Sequence, residues 1–109
     1  MIIYNTTFHV EDNVLNEFLC YLLTTYIPQA IATGFLHQPS LKKVLHTQPD
    51  QGNSLSLQFH VKNIDTLNYW LEYDGVSLHK ALTNCFGSKI VGFSTLLEEM
   101  DIYSEKTDI

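Results

Sequence analysis

The chain has 109 residues, 45% of them hydrophobic and 17% charged, which describes one globular domain with a single core. Twelve acidic residues against six basic ones give a net charge of −6. This excess of acid argues against binding to nucleic acid or to an anionic membrane surface, because both depend on Lys and Arg. The sequence contains no long apolar run and no leader with a cleavage site, so we expect a cytoplasmic protein.

The opening segment, residues 1–10, alternates between two kinds of side chain. Ile2, Tyr4, Phe8 and Val10 share one parity, and Asn5, Thr7 and His9 share the other. Because side chains along a strand point to opposite faces with a period of two, this pattern predicts a strand with one buried face. We expect it to be a central strand with two helices over its apolar face.

The first helix is predicted after Glu11-Asp12-Asn13, since negative charge and side-chain acceptors favour a helix N-terminus. An apolar stripe runs from Val14 to Ile31. Pro28 has no amide donor and predicts a kink or a new helical start.

Two strands follow as a hairpin. Residues Ser40 to Gln48 alternate weakly and predict an edge strand, which Lys42 and Lys43 would protect from edge pairing. Phe35 to Pro39 is interpreted as a connector. Ser54 to Val61 alternates cleanly and predicts a second central strand.

A second helix is predicted from its cap at Asn63 to Phe86, with a weak point at Asp74-Gly75. Ser88 to Met100 then predicts a last strand, and residues 101–109 a polar tail after a domain of residues 1–100. The two cysteines, Cys20 and Cys85, both fall in predicted helices, so we expect buried free thiols.

The element order is therefore βαββαβ. Right-handed crossovers give an antiparallel sheet in the order 4-1-3-2 with both helices on one face. This is an α+β ferredoxin-like sandwich.

Helices on one side leave the other sheet face uncovered. We expect that face to contain Ile3, Asn5, Thr7, His9, Ser54, Ser56, Gln58, His60, Ile90, Gly92, Ser94 and Leu96. Two copies packing these faces together would enclose a partly polar barrel. A last strand that continues to Met100 would overhang the first strand and offer an edge for pairing, which also favours a homodimer.

Three motifs carry a resemblance to a known family: Tyr26-Ile27-Pro28, residues 32–35 (ATGF) and residues 92–98 (GFSTLLE). With residues 1–5 they resemble an uncharacterised family of short bacterial proteins, a domain of unknown function, over essentially the whole chain. That family is similar to the dimeric α/β-barrel superfamily, and the resemblance implies the same fold and a homodimer. The family pattern has His where this chain has Tyr26, so no role of that His carries over.

The superfamily also includes haem-degrading monooxygenases, and the resemblance offers Asn5, Trp70 and His79 as a set of that kind. On a continuous helix, however, nine residues are 2.5 turns, which points Trp70 and His79 to opposite sides. Only a break at Asp74-Gly75 would bring them to one pocket.

The histidines do not predict a metal site. His9 and His60 fall at opposite ends of neighbouring strands, and His46 lies two strands from His9, about 9–10 Å away at about 4.8 Å per strand. Zinc needs its ligands about 2 Å from the metal. A basic, aromatic strand of the kind that stacks RNA bases is also absent, so neither a metal nor nucleic acid is expected.

Two functional hypotheses follow. The first is a small, non-catalytic homodimer that binds a small ligand or a partner at the enclosed sheet face, with no cofactor. The residues expected to line that site are Asn5, Thr7, His9, Ser56, Gln58, His60 and Ser94. The second is a monooxygenase of the dimeric α/β-barrel type, with haem degradation as the form that the resemblance offers.

Overall fold

The computed structural model describes residues 1–45 and 52–102. Four antiparallel strands form one sheet in the order β2-β3-β1-β4. The strands are β1 (Ile2–Val10), β2 (Leu36–Val44), β3 (Asn53–Val61) and β4 (Ile90–Glu98). The helices are α1 (Leu15–Tyr21), α2 (Ile27–Ile31), α3 (Ile64–Trp70) and α4 (Val76–Phe86). Both helical layers cover one face of the sheet, so the predicted ferredoxin-like fold and strand order are confirmed.

The two central strands supply the floor of the core. β1 pairs with β3 along its whole length, from Ile2 opposite Val61 to Val10 opposite Asn53. The predicted apolar parity of both strands is buried, as Tyr4 at 2% exposed and Phe59 at 1% exposed illustrate. The two segments with clear apolar–polar alternation are therefore the two central strands, whose apolar side the helices cover.

The first helix, residues 15–31, contains a π-helical turn at Leu22–Tyr26 between α1 and α2. Buried side chains recur at every fourth residue, starting one residue before the helix: Val14, Phe18, Leu22, Tyr26 and Ala30. In an uninterrupted α-helix that spacing drifts by about 160° over sixteen residues, because each residue turns the helix by about 100°. The wider π turn absorbs most of this drift. Pro28, where the sequence predicts a kink or a new helical start, is the second residue of α2, which directly follows the π turn, and the backbone stays helical through Tyr26 and Ile27.

The second helix, residues 64–86, has the same design. The Asn63 carbonyl oxygen Oδ1 accepts a hydrogen bond from the Thr66 amide at 2.8 Å, which confirms the predicted cap. A π-helical turn at Leu71–Gly75 falls at the predicted weak point. Gly75 is required there, because a Cβ would lie 2.9 Å from Cζ3 of Trp70. The Trp70 indole N–H in turn donates to the Ala30 carbonyl at 3.1 Å, which joins the two helices.

The prediction for β2 is wrong at its start. The strand begins at Leu36, so residues 36–39 are not a connector, and Gln48 lies outside the described residues. A bulge between His37 and Ser40, with Gln38 at φ 51°, shifts the alternation. Leu36 and Leu41 therefore both face the helices although they have opposite parity.

Two further expectations are corrected. β4 ends at Glu98 and pairs with β1 from Ile90 opposite Val10 to Glu98 opposite Ile2, so the predicted overhang is absent. Cys20 and Cys85 are free but exposed, not buried, because both lie off the helix faces that pack on the sheet. Of the predicted tail, residues 103–109 lie outside the described residues.

Candidate functional site

The uncovered sheet face is nearly free of charge. Residues directly opposite each other in an antiparallel pair share a face. The register therefore defines the open face by sixteen strand residues: Ile3, Asn5, Thr7, His9, His37, Ser40, Lys42, Val44, Ser54, Ser56, Gln58, His60, Val91, Phe93, Thr95 and Leu97. None of them is acidic, although the chain carries twelve acidic residues.

The middle of the open face is a hydrogen-bonded polar cluster. The Ser56 hydroxyl donates to Oδ1 of Asn5 at 2.6 Å, and Nδ2 of Asn5 donates to Oγ1 of Thr7 at 3.4 Å. Towards one end, the hydroxyl of Ser54 lies 2.7 Å from Nδ1 of His9. Four of the predicted binding residues, Asn5, Thr7, His9 and Ser56, are thus brought together. Gln58 is on the same face, opposite Asn5.

The sixth predicted residue, His60, lies at the other end of the face. Its Nδ1 is 3.2 Å from Sδ of Met1 and 3.8 Å from Oε1 of Glu99. Sequence reasoning missed His37, which the register places directly opposite His60. Across the part of the chain that the structure describes, no group of three His, Cys, Asp or Glu side chains is spaced to hold a metal ion. His46, considered above as a metal ligand, lies outside that part.

The face of β4 was predicted wrongly. Ser94 hydrogen-bonds at 3.0 Å to Thr6, which faces the helices, so Ser94 is not on the open face. Ile90, Gly92 and Leu96 share its side for the same reason.

The open face instead receives three apolar side chains of β4: Val91 at 58%, Phe93 at 54% and Leu97 at 41% exposure. A signal for this register was available in Gly92. Opposite the large side chain of Phe8, only a residue without a Cβ lets the ring pack against β4, because a Cβ would lie 3.0 Å from Cδ1 of Phe8.

The suggested haem set is not brought together. Asn5 belongs to the open face, whereas Trp70 is fully enclosed on the helix side and meets Tyr4 edge-on, with ring centroids 6.1 Å apart. His79 is also on the helix side, in a groove beside β4. The sheet itself therefore separates Asn5 from the other two.

That groove lies between α4 and the strands β1 and β4 and has a volume of 310 Å³. It is lined by Thr6, Phe8, His79, Leu82, Thr83, Ile90, Gly92, Phe93 and Ser94. The ring of His79 stacks on buried Tyr26, with ring centroids 6.4 Å apart and planes 13° from parallel. Burial raises the pKa of Tyr26, and desolvation lowers the pKa of His79, so at neutral pH both rings are uncharged.

The order of the strands and the helices on one sheet face define the class: a ferredoxin-like α+β protein. The family model described as "Domain of unknown function (DUF4286)" matches residues 1–100, and the chain belongs to this family. The resemblance drawn from the sequence is confirmed. A comparison with curated proteins found no match.

Several solved structures share the fold. An ethyl tert-butyl ether d (EthD) family protein from Bacillus halodurans matches with a TM-score of 0.69 at 14% identity, over 92% of this chain and 100% of that one. SnoaB, a cofactor-independent oxygenase from Streptomyces nogalater, matches with a TM-score of 0.62 at 14% identity, over 92% and 93%. A dimeric protein of unknown function from Bacteroides fragilis, with a ferredoxin-like fold, matches with a TM-score of 0.54 at 15% identity, over 90% and 96%.

No helix within residues 1–45 and 52–102 combines the length and the apolar character needed to span a membrane.

Proposed function

We propose that the protein is a homodimer whose two open sheet faces pack together. The observation that carries this proposal is the row formed by Val91, Phe93 and Leu97, which leaves apolar side chains exposed on a face without acidic strand residues. Interface cores are depleted in charged residues and enriched in aromatic ones, and exposed apolar patches mark interaction sites. The fold likeness to a protein described as dimeric supports the same assembly.

Sedimentation equilibrium of the wild type and of Phe93→Glu tests the dimer. We expect a wild-type dimer at micromolar concentration and a monomer for the variant, because a buried unpaired carboxylate costs several kcal/mol. Tyr73→Glu is the matched control, since Tyr73 is 62% exposed on the second helix, away from the open face. A monomeric wild type, or a Phe93→Glu variant that stays dimeric, would contradict the proposal.

The paired faces would enclose a chamber between the two polar clusters, and we propose that this chamber binds a small amphipathic ligand without catalysis. Its lining would come from Asn5, Thr7, His9, Ser56, Gln58 and His60 of each copy, with Ser94 removed from the predicted set. Hydroxyl, amide and imidazole groups offer both donors and acceptors, while the β4 row supplies the apolar contact.

Native mass spectrometry of the purified dimer tests the chamber. We expect bound small molecules to be retained by the wild type and lost from Ser56→Phe, which fills the middle of the face. Ser77→Phe, an exposed position on α4, is the control for the added ring. Equal ligand occupancy in Ser56→Phe and the wild type would overturn the chamber while leaving the dimer intact.

A monooxygenase is the second candidate, and the fold likeness to a cofactor-independent oxygenase favours it. The haem-degrading form is not supported, because the sheet separates Asn5 from Trp70 and His79. We therefore expect titration with hemin to leave the Soret band of free hemin unshifted. A shift that is abolished by His79→Ala but not by His9→Ala would reverse this conclusion.

A further inference from the structure

The groove beside β4 exists because two helix-facing residues of that strand are small. Gly92 and Ser94 lie between the larger Ile90 and Leu96, so at the middle of β4 no large side chain fills the space below α4. The apolar walls are Phe8, Leu82 and Ile90, all of which are buried. With a volume of 310 Å³, the space falls at the lower end of the range for pockets that hold small molecules.

The lining carries hydrogen-bonding groups but no Asp, Glu, Lys or Arg. Thr6 and Ser94 satisfy one another at 3.0 Å, and the Thr83 hydroxyl donates to the His79 carbonyl at 3.0 Å. Since no cation lines the groove, a negatively charged ligand would lose its hydration without gaining a partner.

The remaining polar group is the ring of His79. Within residues 1–45 and 52–102, neither ring nitrogen has a hydrogen-bond partner. The ring of His79 is partly open to solvent at the edge of the groove and lies nearly parallel to that of Tyr26, with ring centroids 6.4 Å apart. Partial desolvation lowers the pKa of His79, so the imidazole is neutral at pH 7. A neutral imidazole has one donor nitrogen and one acceptor nitrogen.

We propose that this groove is a second, separate binding site, one for a small uncharged molecule with an apolar body and a single hydroxyl or carbonyl group that hydrogen-bonds to His79. The site lies on the helix side of the sheet, opposite the proposed dimer interface, and shares with that interface only Phe93, which borders the groove and belongs to the open face. Each subunit contains it whole, so it does not depend on the proposed dimer.

The probe is 2-naphthol, which has an uncharged apolar body and one hydroxyl group, and its binding is followed by its fluorescence and by calorimetry. Naphthalene lacks the hydroxyl, and 2-naphthoate replaces it with a charge. We expect 2-naphthol to bind more tightly than either by about tenfold, the value of about one good hydrogen bond. No binding of 2-naphthol, or tighter binding of 2-naphthoate, would overturn the proposal.

Two blocking variants locate the site. Ser94→Leu fills the groove from the strand and Thr83→Phe from the helix, and each should weaken 2-naphthol binding by about tenfold or more. Their controls are Ser77→Leu and Asn84→Phe, which are exposed positions that do not line the groove. Circular dichroism and Tm establish that each variant is folded. Unchanged affinity in both folded blocking variants would place the probe elsewhere and contradict the proposal.

His79→Phe separates the hydrogen bond from simple packing. The Phe ring keeps the stacking on Tyr26, so affinity for 2-naphthol should fall by about tenfold while affinity for naphthalene stays the same. If both affinities fall equally, His79 only shapes the groove and the assigned hydrogen bond is wrong. If the protein is monomeric and still binds 2-naphthol, the proposed dimer fails and this site stands.

Discussion

The two edges of the sheet are built differently. β2 carries Lys42 and Lys43, a proline at position 39 and a bulge between His37 and Ser40, all of which discourage pairing with another chain. β4 has nine regularly paired residues without a bulge, and its first eight positions contain no charge. The features that discourage strand pairing are therefore concentrated on β2, whereas the exposed apolar side chains are concentrated on β4. We therefore expect assembly to be centred on β4.

The largest predicted effect is on the dimer Kd. Adding positive charge to β4 should raise it far more than adding positive charge to β2. The double substitution Val91→Lys, Leu97→Lys places two ammonium groups in the proposed interface and should raise the dimer Kd by about a thousandfold or more. Val44→Lys adds one charge on β2, where Val44 is already 38% exposed, and should change the Kd at least about tenfold less. Analytical ultracentrifugation measures both. Equal effects would place the centre of the interface midway between the edges.

Gly92→Ala tests how tightly β4 is fitted to β1. The new Cβ would lie 3.0 Å from the ring of Phe8, which is itself held edge-on by Phe18 with centroids 5.1 Å apart. We expect a loss of about 1–2 kcal/mol in the free energy of unfolding, from overpacking that the ring cannot relieve. Denaturant titration measures it.

The control for Gly92→Ala is the same substitution in a Phe8→Leu background. There the loss should disappear, because the smaller side chain leaves space for the added methyl group. If Gly92→Ala costs the same in both backgrounds, Phe8 does not cause the strain.

The smallest predicted effect is on the pH dependence of Tm, through His79 on α4. The pKa of His79 is lowered by desolvation from its ordinary value of 6.5, so the unfolded chain binds a proton more readily than the folded one. Its contribution to stability is present above that ordinary value and is lost as the pH falls below it. His79→Gln should therefore show a shallower fall in Tm between pH 7 and pH 5 than the wild type. A steeper fall in the variant would contradict the assigned direction.

Much of this architecture is readable from the sequence, and the exceptions have local causes. Clean alternation in β1 and β3 predicts central strands, and four-residue spacing from Val14 to Ala30 predicts a helix over them. The start of β2 is hidden because a positive φ at Gln38 lets the strand continue through Pro39. The face of β4 is hidden for another reason: alternation divides a strand into two sets but does not say which set the helices cover.

The candidate site is less predictable than the fold. Asn5, Thr7 and Ser56 can be placed together from parity alone, because β1 and β3 are paired without a bulge. The groove at His79 depends on the register of β4 and on the π turn that sets the phase of the second helix. Gly92 and Gly75 mark the places where these features arise, but the face of β4 and the phase of the helix are set by long-range packing against Phe8 and Trp70.

The π turn at Leu22–Tyr26 has a consequence for how the chain tolerates change. Substitutions on its exposed side leave the winding as it is, but deleting one residue there would convert the turn to ordinary α-helix and rotate everything after it by about 100°. The carbonyl of Ala30 would then point away from the indole of Trp70. The number of residues in this turn, more than their chemical nature, keeps the two helices joined.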